Sequence, residues 1–137
     1  MNARTVAVLA APFLLSLASL VSCEDTITGG GEIDVVFPDS NVSYNGQVQP
    51  LFDRGCAFVE GCHAGDFAAD GLNLENYQEA LSSKPGVIIP GDTTNSPLLC
   101  RIRGTSCGRR MPLDRTPLNE NQIHGLTVWI LEGAQNN

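Results

Sequence analysis

The chain divides into an apolar run, a polar stretch and a longer region with the periodicity of short helices. The run from Val6 to Val21 is too short for a membrane-spanning helix and is typical of a signal-peptide core. Residues 23–42 are mostly polar and are predicted to form a linker, because they cannot bury enough surface to fold alone. The folded domain is therefore predicted to be residues 43–137.

The last helix has the clearest pattern in this domain. Asn119 is predicted to cap it, with Gln122 as its capping-box partner, and Gly133 is predicted to end it. Trp129 is expected to be a core anchor on the flank of the buried stripe. The stripe itself is predicted from helical spacing to contain Ile123, Leu126, Thr127, Ile130 and Leu131.

Three shorter helices are predicted upstream of this one. The first has Pro50 at its first position and ends at Gly55, and the second is capped by Asn73. The third is capped by Ser96, has Pro97 at its first position and ends at Gly104. Strand-like alternation is scarce, so the predicted fold class is all-α. Short helices joined by long loops make a poor core for a domain of this size, and we expect something besides side chains to fill its centre.

The start of the polar stretch has the signature of lipid attachment. Leu20-Val21-Ser22-Cys23 resembles the lipobox of bacterial lipoproteins, in which removal of residues 1–22 leaves Cys23 as a lipidated N-terminus. Ordinary secretion with a cut near Cys23 is the alternative. Both interpretations predict an extracytoplasmic protein, and the first anchors it to a membrane as a lipoprotein.

The candidate chemistry begins at two cysteines followed directly by a histidine. Cys56 and Cys62 could add to the two vinyl groups of a haem, and His63 could then bind its iron. The usual loop between such cysteines holds two residues, and here it holds five, so the additional residues must bulge outward. Met111 is the only methionine besides the initiator, and its thioether could complete the low-spin pair of an electron carrier.

The order of these residues resembles that of planctomycete-type cytochrome c domains, which belong with the class I c-type cytochromes. The matching segments are Val48–Phe52, Cys62–Gly65, Gly71–Leu74, Ile89–Asp92, Asn95–Leu98, Met111-Pro112, Pro117-Leu118, Trp129-Ile130 and Gly133-Ala134. The resemblance implies a small fold of short helices around one covalent haem c. It assigns Cys56 and Cys62 to the thioether bonds, and His63 and Met111 to the axial positions.

The resemblance implies a monohaem electron carrier and not an enzyme, and the lipobox-like segment at Cys23 would anchor it to a membrane. Its partners would be redox proteins or a membrane-associated respiratory or photosynthetic complex, with no small-molecule substrate. An apolar shell around the haem is expected from Leu51, Phe52, Phe58, Phe67, Leu98 and Trp129. The resemblance also implies that a backbone carbonyl near Pro90 accepts from the second ring nitrogen of His63, a common way to orient a ligating histidine.

Cysteine parity leaves a second interpretation open. Cys100 and Cys107 are close enough along the chain to form a disulfide, as an oxidising compartment favours. If Cys56 and Cys62 paired as well, the protein would be a haemless, doubly bridged structural or binding lipoprotein. A zinc site using Cys56, Cys62 and His63 is a weaker alternative, and His124 is expected to lie on a solvated helix face.

The charge of the chain excludes one class of partner. Lys and Arg number 8 against 15 Asp and Glu, giving a net charge of −7, which argues against nucleic-acid binding. Five of the basic residues nevertheless cluster around Met111: Arg101, Arg103, Arg109, Arg110 and Arg115. They form either a solvated loop or a set of cations that neutralise haem propionates and attract an acidic redox partner.

Overall fold

The computed structural model describes residues 33–57 and 62–137, and this part of the chain is helical without any strand. The predicted signal peptide, Cys23 and Phe58 lie outside the described residues. None of the helices in the described ranges has the length and hydropathy needed to cross a membrane. The α-helices are α1 (Gln49–Gly55), α2 (Tyr77–Ser82), α3 (Pro97–Arg103) and α4 (Glu120–Leu131), with a π-helical turn at Tyr44–Val48 and a 3₁₀ turn at Ala69–Gly71.

The end of α3 and the start of α4 follow the local sequence as predicted, but Ser96 precedes α3 without capping it, because its hydroxyl bonds to Ile89 and Asp92 instead. Pro97 lies in the first turn of α3, and Gly104 ends that helix in the left-handed region at φ 69°. Asn119 caps α4 by accepting from the backbone N–H of Gln122, whose side chain in turn accepts from the Asn119 N–H. This reciprocal capping box confirms the predicted start of the last helix.

The start of α2 was predicted at the wrong asparagine. Asn76 is the cap and accepts from the N–H of Glu79 at 3.0 Å. Asn73 instead accepts from the N–H of Glu75, two residues on, at 2.8 Å. That bond closes an Asx turn, which uses the same side-chain oxygen that a helix cap would need.

The buried face of α4 is rotated relative to the predicted stripe. Leu126 and Ile130 are buried as predicted, but Leu131 is 62% exposed and Trp129 is fully buried at the centre of the face. The other buried positions of the helix are Gln122 and Gly125. Gly125 is buried against the ring of Phe37, so the partner segment, and not hydropathy alone, decides which face of α4 turns inward.

That partner segment belongs to the predicted linker, and the prediction is wrong for its described part. Val35, Phe37 and Val42 are all less than 8% exposed and belong to the main core. The carboxylate of Glu132 accepts from the backbone N–H of Val42, which fixes this segment near the end of α4. A short apolar cluster within a polar stretch can dock on an existing helix even when it cannot fold alone.

An aromatic cluster forms the centre of the core. Trp129 packs against Tyr44 at 5.6 Å and Phe52 at 6.4 Å between ring centroids, and Tyr44 contacts Tyr77 edge to face at 5.0 Å. Of the predicted apolar shell, Leu51, Phe52, Leu98 and Trp129 are buried. Only Leu98 lines the cavity described below, so the other three belong to the core and were wrongly assigned to a shell around the haem. Phe67 is 79% exposed, so its assignment to the shell was wrong. None of the aromatic side chains in this cluster lines the cavity described below.

Candidate functional site

A cavity of about 490 Å³ lies between α3 and the segment that follows α1. A smaller cavity of about 110 Å³ adjoins it, and Cys56, His63, Ala69 and Met111 border both. The combined space is of the size that small cofactors fill in proteins, roughly 300–1,000 Å³. The walls of the larger cavity are mainly apolar and include Leu72, Leu74, Val87, Pro97, Leu98 and Ile102. The sequence-predicted residues Cys56, His63 and Met111 are thus brought to one site.

The end of α1 positions Cys56 beside His63. The backbone N–H of Cys56 donates to Phe52 O at 2.8 Å, which continues the helical bonding, and Cys56 O accepts from the N–H of His63 at 3.1 Å. With the usual two-residue loop, such a bond would join residues four apart, which is the α-helical spacing. Here the same groups are bonded although they are seven apart, so the longer loop still brings the histidine next to the first cysteine.

The ring of His63 is oriented by a backbone carbonyl. Nδ1 lies 3.1 Å from Leu72 O, and the backbone O of His63 accepts from the N–H of Leu74 at 2.8 Å. A proton on Nδ1 satisfies the carbonyl and leaves Nε2 as the nitrogen with a free lone pair. The acceptor was expected near Pro90, and it is instead Leu72, because the chain after the 3₁₀ turn runs back alongside the histidine.

A carboxylate secures the loop after His63. Glu75 accepts from the N–H of Gly65 and from Nδ2 of Asn73, both at 2.9 Å. The Gly65 N–H, and next the Asn73 amide, lower the pKa of Glu75 below its ordinary value. Asn73, which forms an Asx turn and not the predicted cap of α2, therefore also helps to hold the loop after His63 through its bond to Glu75.

Cys56 and Cys62 are both free thiols in the structure. Burial raises the pKa of the Cys56 thiol to about 12, which the nearby Arg115 guanidinium partly offsets. Both residues line the smaller cavity, together with His63 and Met111. The Cys56–Cys62 bridge that the haemless interpretation requires is absent, although its other bridge is present.

Met111 is held at the cavity by its attachment to α3. Its backbone N–H donates to Arg101 O at 3.0 Å, in the turn of α3 whose side chains Leu98 and Ile102 form the cavity wall. A disulfide joins Cys100 to Cys107 with a Cα–Cα distance of 5.8 Å, which confirms the predicted pairing. The loop that carries the methionine is thus attached to α3 by both a covalent bond and hydrogen bonds.

Charged side chains lie at the polar edge of the larger cavity. Lys84 and Arg101 line it together with Asp70, which forms an ion pair with Lys84. The hydrogen bond and charge of Lys84 lower the pKa of the exposed Asp70 carboxyl, with smaller contributions from Arg101 and His63. Arg115 borders the smaller cavity.

The remaining arginines of the predicted cluster are exposed and do not line either cavity. Arg103 donates to Thr127 Oγ1 at 2.9 Å, Arg109 pairs with Asp114 at 3.4 Å, and Arg110 donates to Ile102 O at 3.1 Å. The predicted cluster therefore divides into two cations at the cavities and three exposed ones, of which Arg103 lies at the end of α3 and Arg109 and Arg110 lie on the loop before Met111.

The donor set in the described residues does not suit zinc. Across residues 33–57 and 62–137, no three His, Cys, Asp or Glu side chains gather closely enough to hold a metal ion. The zinc interpretation is thus wrong for this part of the chain, and His124 is exposed as predicted. One imidazole, one thioether and two free thiols around an apolar cavity instead fit a haem, whose porphyrin supplies the other four iron ligands.

Sequence reasoning missed the Leu72 carbonyl, the Glu75 clamp and Lys84. A backbone acceptor has no side-chain signature, and the positions of Glu75 and Lys84 depend on how the loops fold back. The Asn73-Leu74-Glu75 segment contained one usable signal, because asparagine side chains often bond the backbone N–H two residues on and so form Asx turns.

Comparison with known proteins supports the resemblance seen in the sequence. A family model described as Planctomycete cytochrome C matches residues 60–114, which include Cys62, His63 and Met111. The match confirms the predicted relationship over this segment, and it implies a cytochrome c-like domain and haem c binding in general terms. No curated protein and no solved structure matches the chain significantly.

Proposed function

We propose that this protein is a monohaem c-type cytochrome that carries electrons one at a time between membrane-associated partners. The observation that supports it most is that Met111 borders one apolar cavity with Cys56 and His63 although it is far from them in the sequence. The family match adds that the segment from the second cysteine to the methionine has a cytochrome c pattern.

Each residue of the site has a distinct role in this proposal. Cys56 and Cys62 would hold the haem through thioether bonds, and His63 and Met111 would bind its iron. The Leu72 carbonyl keeps the proton on His63 Nδ1, so that Nε2 is available to iron and the ring is held in one orientation. The haem supplies the one-electron chemistry, and the protein supplies ligands and an environment.

The apolar walls of the cavity set the direction in which the protein shifts the reduction potential. Leu72, Leu98 and Ile102 are each less than 8% exposed and border the cavity, so they exclude water from it. A low-dielectric site disfavours the more highly charged ferric state, and a methionine axial ligand acts in the same direction. We therefore expect a higher potential than that of a bis-histidine centre with a solvated haem.

The cations at the cavity suit the two propionate groups of a haem. Lys84 and Arg101 lie at the polar edge of the larger cavity, and Arg115 borders the smaller one. Asp70 already pairs with Lys84, which leaves Arg101 as the cation best placed to balance an incoming carboxylate. The exposed Arg103, Arg109 and Arg110 add positive charge beside the site and favour an acidic redox partner.

Removal of residues 1–22 and lipidation at Cys23 would place the cytochrome outside the cytoplasm on a membrane surface, as a free carrier or a subunit of a larger electron-transfer complex. Labelling with a fatty-acid analogue in a bacterial host tests this part, since the label should be incorporated by the wild type and lost in Cys23→Ser. Label on the Cys23→Ser variant, or none on the wild type, would contradict lipid attachment there.

Covalent haem attachment tests the cofactor assignment. The protein is produced in a bacterial host with a haem-maturation system, and its intact mass is measured under denaturing conditions. We expect a mass increase of one haem, retained in Cys56→Ser and Cys62→Ser as a single-thioether product and lost only in the double variant. An unmodified wild-type mass, with two intramolecular disulfides, would favour the haemless lipoprotein.

A further inference from the structure

We infer that the Cys100–Cys107 disulfide is a positioning device for Met111, which keeps the thioether at the cavity. This inference rests on the proposed function, since it assigns the bridge a role in haem ligation. The disulfide closes a loop of the chain that begins in α3 and leads directly to the methionine. Removal of the bridge should therefore affect ligation by sulfur more than it affects the fold.

The Met111 loop has little burial of its own to hold it in place. Gly104 ends α3, and from there to Arg110 only Cys107 is even partly buried, while the others are exposed. Met111 is itself only partly buried. A loop without a buried apolar anchor depends on its covalent and hydrogen-bonded attachments, since the hydrophobic effect contributes little there.

The attachments converge on a single turn of α3. The disulfide starts at Cys100, and the next residue, Arg101, accepts the N–H of Met111 through its backbone O at 3.0 Å. The Arg101 guanidinium also donates to Arg109 O at 3.3 Å. The bridge thus fixes the middle of the loop at the same turn to which the methionine is bonded.

Close packing limits the paths that the loop could take. A Cβ at Gly104 would lie 2.7 Å from Cδ of Arg110, and one at Gly108 would lie 2.9 Å from the Arg101 guanidinium. Thr105 Oγ1 contacts the sulfur of Cys100 at 3.1 Å. The loop is therefore folded tightly over the end of α3, and opening the bridge would release its central part from that position.

The orientation of α3 connects this arrangement to the cavity. Pro97, Leu98, Arg101 and Ile102 line the larger cavity, and the buried side chains of Leu98, Leu99 and Ile102 fix the helix in the core. Because α3 is fixed in the core, a loop attached to it is held in a defined position relative to the cavity. Without the bridge, α3 remains packed, but the methionine gains freedom to leave the cavity wall.

The test compares Cys100→Ser/Cys107→Ser with the wild type, both as matured ferric holoproteins. We expect a Soret band to persist and the covalent haem mass to be unchanged, and the weak near-infrared band of sulfur-to-iron coordination to lose more than half its intensity. The reduction potential should fall in parallel, since methionine ligation raises it. Asn119→Ala, which removes the α4 capping box far along the chain, is the matched control and should lower the melting temperature without changing the band.

A second route tests the same point if the double variant does not fold. The folded ferric wild type is treated with a phosphine, which reduces the disulfide to two thiols and becomes a phosphine oxide with oxygen from water. Iodoacetamide then alkylates the thiols, and ferricyanide returns the haem to the ferric state. The near-infrared band should again be lost, whereas a sample taken through the same steps without phosphine should keep it.

The outcomes separate this inference from the proposed function. A normal Soret band with a fully retained near-infrared band after loss of the bridge overturns the inference and leaves the cytochrome assignment in place. A wild-type protein without covalent haem overturns both, because Met111 then has no iron to bind.

Discussion

The packing of Phe37 against α4 makes the consequence of one added methyl group predictable. A Cβ at Gly125 would lie 2.1 Å from both Cγ and Cδ1 of Phe37 and 2.4 Å from its Cβ. Carbon atoms in ordinary contact are about 3.5–4.0 Å apart. Gly125→Ala therefore requires the Phe37 ring to move by more than about 1 Å.

Phe37 cannot make room by changing its rotamer. Its Cβ takes part in the clash, and rotation about χ1 leaves that atom in place. Its backbone is also fixed, since the N–H of Phe37 donates to Asn121 Oδ1 at 2.8 Å and its O accepts from Asn121 Nδ2 at 2.9 Å. The substitution must displace the backbone of the segment and disturb both hydrogen bonds.

The expected destabilisation follows from these losses. Exposing a buried phenylalanine costs about 1.5–3 kcal/mol. Each hydrogen bond contributes about 0.5–1.5 kcal/mol. Replacing glycine by alanine inside a helix stabilises the folded state by about 1 kcal/mol, which partly offsets these losses. The net loss in the free energy of unfolding should be about 1.5–5 kcal/mol, or roughly 7–23 °C in melting temperature for a domain of this size.

Urea unfolding of the holoprotein, in a double-mutant cycle with Phe37→Ala, measures this effect. Phe37→Ala alone should cost about 3–5 kcal/mol, because it removes a buried ring. In that background, Gly125→Ala should be neutral or stabilising by up to about 1 kcal/mol, since only the helix preference remains. A neutral or stabilising Gly125→Ala in the otherwise wild-type protein would refute the packing of Phe37 on α4.

Two further predictions concern the site and the aromatic cluster. Met111→Leu keeps an apolar side chain of similar volume but no sulfur ligand, so the holoprotein should retain its Soret band and lose the near-infrared band. An unchanged near-infrared band in Met111→Leu would show that the sulfur ligand of the iron is not Met111. Burial, with contributions from Asp53 and Tyr77, raises the pKa of Tyr44 above its ordinary value near 10. Its contribution to stability is therefore complete below pH 10 and is lost above it, as tyrosine ionises in the unfolded chain but not in the folded one. Urea unfolding at a series of pH values should show this loss in the wild type and a flatter profile in Tyr44→Phe, and parallel profiles would contradict the assignment.

Local sequence predicted those features of the fold that depend on local bonding. Asn119 with Gln122, Pro97 and Gly104 each act within one helical turn of their own position, and each lies where its sequence context indicates. The rotated face of α4 could not be predicted in this way. Its inward side is decided by Phe37, which lies far away in the sequence and fits only because residue 125 is a glycine.

The candidate site shows the same division between local and tertiary determinants. The chemical types of Cys56, His63 and Met111 were sufficient to propose a common site, and the structure brings them to one cavity. The orientation of His63 depends on the Leu72 carbonyl, which every residue type offers equally and which only the chain path selects. Asn73 could equally have been a helix cap, and the competition between an Asx turn and a cap was settled by the clamp that Glu75 forms with Gly65.

The central claim is that one haem is held between His63 and Met111 in the cavity beside α3. A reversible redox titration, followed by the optical spectrum of the matured protein, tests it most directly. We predict a single one-electron transition, with a reduced spectrum that has the sharp visible bands of a low-spin c-type haem. A colourless protein from a host that correctly matures other c-type cytochromes would contradict the claim.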